Sequence, residues 1–226
     1  IRKLRDAGIE VQIGVLEREG RELNKRFFTS VEKGRPFITL KWAESADHLI
    51  ARENFESKWI SNELSRQLVH KMRAEIDAVL VGTNTARYDN PKLNVRDWSG
   101  RDPVRVVIDR NLKLDPKLNL FDKSQPTICY NLLRNEEESN LTLVQLPETD
   151  FLNGLLADLH RRKIQSLMIE GGSQTIQSFV NAGLWDEAMI FRSQTLFGKG
   201  IAAPIVQGDT LNETRIGSDL LKHIKK

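Results

Sequence analysis

Only one cysteine, Cys129, stands among 226 residues. A lone thiol builds no disulfide framework and fits a reducing cytoplasm, so the Asn-x-Thr triplets at Asn140 and Asn212 carry no glycosylation meaning. No run of about 18 apolar residues occurs, so no segment is long enough to span a bilayer as a helix. The opening "IRKLRDAGIEV" is basic but lacks an apolar h-region, so it is not expected to be a secretory signal. A chain that begins at Ile1 reads as if cut from something longer. A dominant charge is missing too. The 34 basic and 31 acidic residues leave +3, and the two signs are interspersed, which makes no nucleic-acid-binding face. The densest basic cluster, His160 to Lys163, falls where a helix should end and suits its dipole. There is no internal repeat, no low-complexity segment, and no full Rossmann or P-loop fingerprint. What remains is a globular composition, 39% hydrophobic and 29% charged, enough for one sizeable core or a domain with an appendage.

Along the chain, residues 1–34 form a polar lead-in with one strand-like piece, "VQIGVL", and an aromatic pair, Phe27 and Phe28. "KGRP" (33–36) marks a boundary turn. "PFITLKWA" then reads as a strand with Pro36 first, where a missing N–H is tolerated. Ser61 is the expected cap of a helix that repeats Leu64, Leu68, Met72 and Ile76 at helical spacing. "DAVLVG" is an unbroken apolar strand of the kind buried on both faces. Further strands are expected at "VRVVID", "PTICYN" (with Cys129 in the core) and "LTLVQL". Asp150 is the expected cap of a helix burying Phe151, Leu152, Leu155, Leu156 and Leu159. "SLMI" is a strand, and the helix after it turns Ile176, Phe179 and Val180 inward and stops at Gly183. "DEAMIF" resumes strand character. Strands interleaved with helices of about a dozen residues predict an α/β sheet with parallel crossovers and late antiparallel additions.

The junction "IEGGS" (169–173) raises a chemical question, because one glycine suffices for a plain turn. In open α/β sheets ligands bind beyond the carboxyl ends of strands, where helix N-termini offer unpaired N–H groups and partial positive charge. Two glycines remove the Cβ atoms that would hold a pyrophosphate off the backbone. Ser173 can cap the helix or donate to a phosphate, and Glu170 points into the same cleft. A structural turn explains the pair as well. A second buried strand, "DAVLV", also runs into a Gly-opened polar loop, "GTNTARYDNPKLNVR", where Thr85, Asp89 and Arg96 can hydrogen-bond a ligand while Pro91 and Leu93 fix its path. Two such loops favour a shared nucleotide cleft.

The series Gly82, Thr85, Asp89, Pro91, Leu93 and Arg96 resembles the reductase domain of the bifunctional riboflavin-biosynthesis deaminase–reductase. So do "KWAESAD" (41–47), "ESKWIS" (56–61), "IEGG" (169–172), "AGLWDE" (182–187) and "FGKGIAAP" (197–204). The lead-in is similar to the end of that family's deaminase domain and its link to the reductase, so the expected division is 1–34 and 35–226. The resemblance implies a dihydrofolate-reductase-like fold with a central, mostly parallel mixed sheet flanked by helices, a cytoplasmic homodimer, and NADPH as hydride donor. Its implied substrate is 5-amino-6-(5-phosphoribosylamino)uracil, whose ribosyl group becomes a ribityl chain; neither nucleic acid nor membrane is an implied partner. Carried over by position, Ala43, Trp59, Thr85 and Asp89 contact the cofactor, and Gly172, Ser173, Gln174, Thr175, Ile176, Gln177 and Ser178 hold its phosphates. Ser57, Arg73, Leu93, Arg96 and Glu170 contact the substrate. Arg73 and Arg96 suit its 5′-phosphate, because a guanidinium fork matches phosphate oxygens. Lys41, at a strand end, is the candidate for polarising the opening sugar or assisting proton transfer, with Glu170 beside it; no covalent nucleophile and no metal is required.

One departure stands out. Family members read Ser-Leu-Asp-Gly or Ser-Ala-Asp-Gly where this chain has Ser45, Ala46, Asp47 and His48, which puts a side chain beside the expected nicotinamide pocket. A zinc deaminase needs His-x-Glu and Pro-Cys-x-x-Cys, and these four histidines and one cysteine provide neither. A deaminase, if the parent has one, lies before Ile1. Two other functions remain open: a related NADPH-dependent pteridine or pyrimidine reductase, and a nucleotide-binding module without catalysis.

Overall fold

A computed structural model describes residues 1–56 and 60–226. The lead-in holds α1 (Arg2–Asp6), α2 (Glu17–Leu23) and α3 (Lys25–Lys33). There follow β1 (Phe37–Glu44), β2 (Leu49–Ala51), α4 (Glu63–Ala74), β3 (Ala78–Gly82), α5 (Thr83–Asp89), β4 (Val104–Ile108), β5 (Thr127–Asn131), β6 (Glu136–Glu138) and β7 (Leu141–Gln145). The chain closes with α6 (Phe151–Arg161), β8 (Ser166–Glu170), α7 (Ser173–Asn181), β9 (Glu187–Arg192), β10 (Ile201–Ala202), β11 (Asp209–Ile216) and β12 (Asp219–Lys225).

The main sheet has ten strands in the order β11-β12-β9-β1-β8-β3-β4-β5-β7-β6. From β9 to β7 every neighbouring pair is parallel. Antiparallel β12–β11 and β6 finish its two ends. The side-chain period of two splits each central strand between two cores. On β3, Ala78 and Leu80 join the layer that Phe151, Leu155 and Leu159 of α6 and Ile176 and Phe179 of α7 complete. Val79 and Val81 enter the opposite layer with Met168, Leu93, Leu114 and Cys129. Each central strand is therefore apolar at consecutive positions, as expected of a sheet covered on both faces. Ordinary polar pairing closes the rest. Tyr130 donates its hydroxyl to Asp158 at 2.9 Å, and Asp186 takes a fork from Arg35 at 2.6 and 2.8 Å and the Ile38 N–H at 2.9 Å. Among the described residues no helix is long and apolar enough to cross a membrane.

Four local expectations need correction. "VQIGVL" is not a strand but an extended coil and turn. Among the described residues no strand lies beside it to pair with its backbone, and Ile13, Val15 and Leu16 stay exposed; alternation without a partner makes no sheet. The cap of α4 is Asn62, one residue later than Ser61. Its side-chain oxygen accepts the Ser65 N–H at 2.9 Å and its amide donates to Ile216 O at 2.6 Å. The helix ends at Ala74, and its buried face is Ser65, Val69 and His70, leaving Leu64 exposed. Asp150 occupies the N-cap position of α6 but makes no capping bond; its carboxylate takes the Asn153 amide at 2.6 Å instead. The first half of the polar stretch after β3 is the helix α5, Thr83–Asp89, and only the half from Asn90 onward is a loop.

Because Asn62 both caps α4 and holds the turn before β12, Asn62→Ala should lower unfolding stability by about 1–2 kcal/mol, while Ser61→Ala changes it by less than about 0.5 kcal/mol. Urea denaturation of the two variants measures both.

Candidate functional site

Parallel strands share a direction, so their carboxyl ends open along one edge, and that is where ligands meet an α/β sheet. Here β1, β8, β3 and β4 are consecutive in the sheet. Their ends surround a cavity of about 740 Å³. Lys41 and Ala43 line it from β1, Glu170 to Gly172 from β8, Gly82 and Thr85 from the β3–α5 junction, and Asp109 to Asn111 beyond β4. Across its mouth the short antiparallel pair β2–β10 contributes Ile50, Ala51 and Ile201. Asp47 fastens this flap. Its carboxylate accepts the Ser45 hydroxyl at 2.6 Å and the N–H groups of Phe197 and Gly198 at 3.1 and 2.6 Å. Those bonds, the hydroxyl foremost, hold Asp47 down at about 2. Phe55 stacks on Tyr88 of α5, ring centroids 4.3 Å apart.

Three charges meet at the cavity floor. Register places Lys41 directly beside Glu170, with Nζ 3.9 Å from Oε2. From the last turn of α4, Arg73 donates Nε and Nη2 to the two carboxylate oxygens at 2.7 and 2.8 Å, and Nη1 to Asn94 O at 3.2 Å. Burial works against the Glu170 carboxylate, but the charge and fork of Arg73, helped by Lys41, outweigh it and hold Glu170 at about 2. Burial pulls the Lys41 ammonium below its ordinary range; Glu170 opposes that and Arg73 reinforces it. The site therefore holds a permanently ionised carboxylate against an ammonium that gives up its proton more readily than a surface lysine.

The glycine pair has a conformational reason of its own. Gly171 and Gly172 have φ of +106° and +71°, and a Cβ on either would lie 3.0–3.2 Å from the Thr85 side chain. The helix that follows them, α7, carries no side-chain cap. Bare, uncapped backbone at a helix start is chemistry that suits a phosphate.

Of the residues expected at the cofactor, Ala43, Thr85, Asp89, Gly172, Ser173, Gln174 and Thr175 line the cavity. Three do not. Ile176 is core on the inner face of α7. Gln177 accepts the Ile205 N–H and donates to Asn181, and the Ser178 hydroxyl donates to Gln174 O. One helical turn carries consecutive residues away from the cleft, so only residues 172–175 of that stretch reach it. Trp59 and Ser57 lie outside the described residues. Among expected substrate contacts, Arg73, Leu93 and Glu170 line the cavity, but Arg73 is committed to Glu170. Arg96 is not part of the lining. It is exposed, donates Nη1 to Asn94 Oδ1 at 3.3 Å, and gives its backbone N–H to His70 Nδ1 at 3.4 Å. His48 does not crowd the cavity. It adopts the left-handed conformation itself, φ +60°, and its ring reaches Glu44 Oε1 at 3.0 Å outside the cavity lining. Sequence reasoning passed over the stretch Asp109–Lys113, although it follows a buried strand as the other two loops do. Among the described residues no cluster of three His, Cys, Asp or Glu is arranged to hold a metal ion.

The family model described as RibD C-terminal domain matches residues 36–224. Riboflavin biosynthesis protein RibD of Aquifex aeolicus is 38% identical over 208 residues, covering 89% of this chain and 58% of that protein. Its namesake from Bacillus amyloliquefaciens is 34% identical, covering 92% and 59%. The chain thus spans under three fifths of the curated relatives it matches. Among solved structures, the Thermotoga maritima diaminohydroxyphosphoribosylaminopyrimidine deaminase/5-amino-6-(5-phosphoribosylamino)uracil reductase superposes with a TM-score of 0.88 at 34% identity, covering 99% of this chain and 66% of that one. Dihydrofolate reductase from Enterococcus faecalis shares the fold, with a TM-score of 0.52 at 10% identity over 84% of this chain and 96% of that one.

Glu170 binds its proton less tightly folded than unfolded, so its contribution to stability is complete above the ordinary value of 4.5 and is lost as pH falls toward about 2. Glu170→Gln, which strands Arg73 and Lys41, should cost about 3 kcal/mol at neutral pH. The gap between wild type and variant should narrow below pH 4.5, the value an ordinary glutamate has. Denaturant titrations across that range would show it, and a gap independent of pH would refute it.

Proposed function

The chain belongs to the RibD C-terminal domain family, and from that premise we propose that it is an NADPH-dependent reductase in riboflavin biosynthesis. Its substrate is 5-amino-6-(5-phosphoribosylamino)uracil, whose ribosyl group it reduces to a ribityl chain. The observation that carries this reading is the placement of Lys41 and the ionised Glu170 in one cavity with the uncapped start of α7. Support for the substrate comes from the Thermotoga maritima relative, which is named as a reductase of that compound.

The residues present fit a dinucleotide. The Gly171–Gly172 backbone and the free N–H groups of α7 suit a diphosphate, with Ser173, Gln174 and Thr175 able to donate beside it. When bound, NADPH supplies the hydride that the sugar's C1′ receives. Opening of the ribose ring gives an imine at C1′, and reduction there also needs a proton on the nitrogen. Lys41 is the group placed to give that proton or to polarise the opening sugar, because burial loosens its own hold on it. Glu170 accepts hydrogen bonds from sugar hydroxyls or pyrimidine N–H groups, and Arg73 keeps it charged and oriented. The flap held by Asp47 keeps water from the reacting carbon. Arg96, on the loop pinned by His70 and Arg73, serves the 5′-phosphate when that loop turns inward. Within this reading residues 1–34 continue an upstream deaminase domain and its link, residues 35–226 are the reductase domain, and the protein works as a cytoplasmic homodimer with neither nucleic acid nor membrane as partner.

With the ribosylaminouracil supplied, the protein should consume NADPH, followed by loss of its absorbance band; absence of turnover with both the amino and the deaminated forms refutes the proposal. Lys41→Met should lower kcat by roughly 100-fold or more with little change in KM. Gly172→Val should weaken NADPH binding in calorimetry while thermal melting stays cooperative, and unchanged affinity would remove that glycine's role.

A further inference from the structure

Phe55 holds a left-handed backbone, φ +67°. A bulky side chain takes that conformation at a cost, and it persists only where the surroundings compensate. Burial does not compensate here, because Phe55 is 37% exposed. What meets it is a second exposed ring, that of Tyr88 on α5, a residue 49% exposed. The two rings are nearly parallel, 1° apart in plane, with centroids separated by 4.3 Å. Both residues line the cavity. Two rings this wet add little to a core, so the strain at Phe55 and the place of the stack point to a role at the cavity mouth.

The stack joins two bodies that are each braced on their own. One is the flap. The turn after β2 is closed by the Arg52 N–H to Glu56 O and the Phe55 N–H to Arg52 O, both at 2.9 Å, and Asn54 Oδ1 accepts the Glu56 N–H at 3.0 Å. The Arg52 guanidinium lies 4.5 Å from the centroid of Phe197, whose N–H Asp47 holds. The other body is α5. Just past its end, Asn90 is tied to Asn119, which gives its N–H to Asn90 Oδ1 and its side-chain amide to Asn90 O, both at 2.7 Å. Ring faces can part without stranding a polar group. The attraction of the stack and the strain at Phe55 are opposed and of comparable size, which leaves closed and open arrangements close in free energy. We infer that Phe55 and Tyr88 are positioning residues, a latch that closes the flap over the reacting ligands, and that its parting sets how fast cofactor and product exchange. The inference rests on the reductase reading for the identity of those ligands and deepens it.

Stopped-flow binding of NADPH to the intact chain, followed by the dinucleotide's fluorescence, tests the latch in Phe55→Gly, Tyr88→Ala, the double variant and Tyr88→Phe. Loss of the stack should speed association and dissociation alike, each by roughly 5- to 10-fold, so that affinity moves by less than about threefold. The double variant should be no faster than either single one, because each already removes the contact. Tyr88→Phe keeps the ring and should match wild type. Glycine adopts a left-handed backbone without strain, so Phe55→Gly should melt close to wild type. Faster dissociation with unchanged association would make the rings a direct ligand contact, and unchanged rates would make them bystanders; either result overturns the latch. Hydrogen exchange on the ligand-free chain gives a second reading. Residues 49–56 and 197–202 should exchange faster in Phe55→Gly and Tyr88→Ala than in wild type, with β3 and β8 unaltered, and equal exchange overturns the latch. If wild type takes up no NADPH, the reductase reading falls, and the exchange measurement still decides the latch.

Discussion

A carboxylate buried between two cations is expensive to assemble, and at Glu170 the rest of the site is arranged around keeping it satisfied. Breaking such a cluster by removing one member strands the others, at a penalty of about 3–5 kcal/mol. Arg73 meets both oxygens at once, which fixes the carboxylate plane, and Lys41 stands 3.9 Å off, near enough to feel the charge yet without a close hydrogen bond. That asymmetry fits the roles proposed above, in which Arg73 orients the acid and Lys41 gives up a proton.

The sheet makes the cluster possible. Lys41 and Glu170 become neighbours because β1 and β8 pair in parallel with those residues in register, and Arg73 arrives from a helix packed on the same face. The adjoining strand end, β3, brings Thr85 against the glycine pair, and a Cβ on Gly82 would come within 2.1 Å of Thr175 Oγ1. The start of α7 is thus pressed against β3 with only the Thr175 side chain between them, so its backbone and the ion cluster keep a fixed spacing.

Much of this was legible in the sequence, for physical reasons that also explain the failures. Strands such as "DAVLVG" and "SLMI" announce themselves because both faces are buried, and the loops after them announce ligands because open α/β sheets bind there. Glu170 could be picked out as a strand-end residue, but Lys41, expected at a strand end, lies inside β1, which runs on to Glu44. What stayed hidden was pairing across the chain. Arg73 and Arg96 are the same residue type, each near a suggestive motif, and only the fold reveals that one is clamped to Glu170 while the other lies outside the cavity. His48 was read as an obstruction because a side chain replaces a glycine, yet it takes the glycine's backbone conformation and leans on Glu44. "VQIGVL" has the right alternation and no neighbour to pair with. Asn62 and Ser61 are equivalent caps on paper; only the turn before β12, which holds Asn62 by Ile216 O, distinguishes them.

Parallel pairing also has a consequence for how the protein is made. More than half the chain separates Lys41 from Glu170, and β1 lies between β8 and β9, both drawn from the later part of the sequence. As the nascent polypeptide leaves the ribosome, β1 must wait with both its edges bare until those later strands emerge. Such distant closures are slow steps and leave sticky intermediates in the meantime. The Lys41–Glu170 pair is therefore among the last contacts to mature, and a ribosome that stalls before β8 releases a product without Glu170 and the glycine pair.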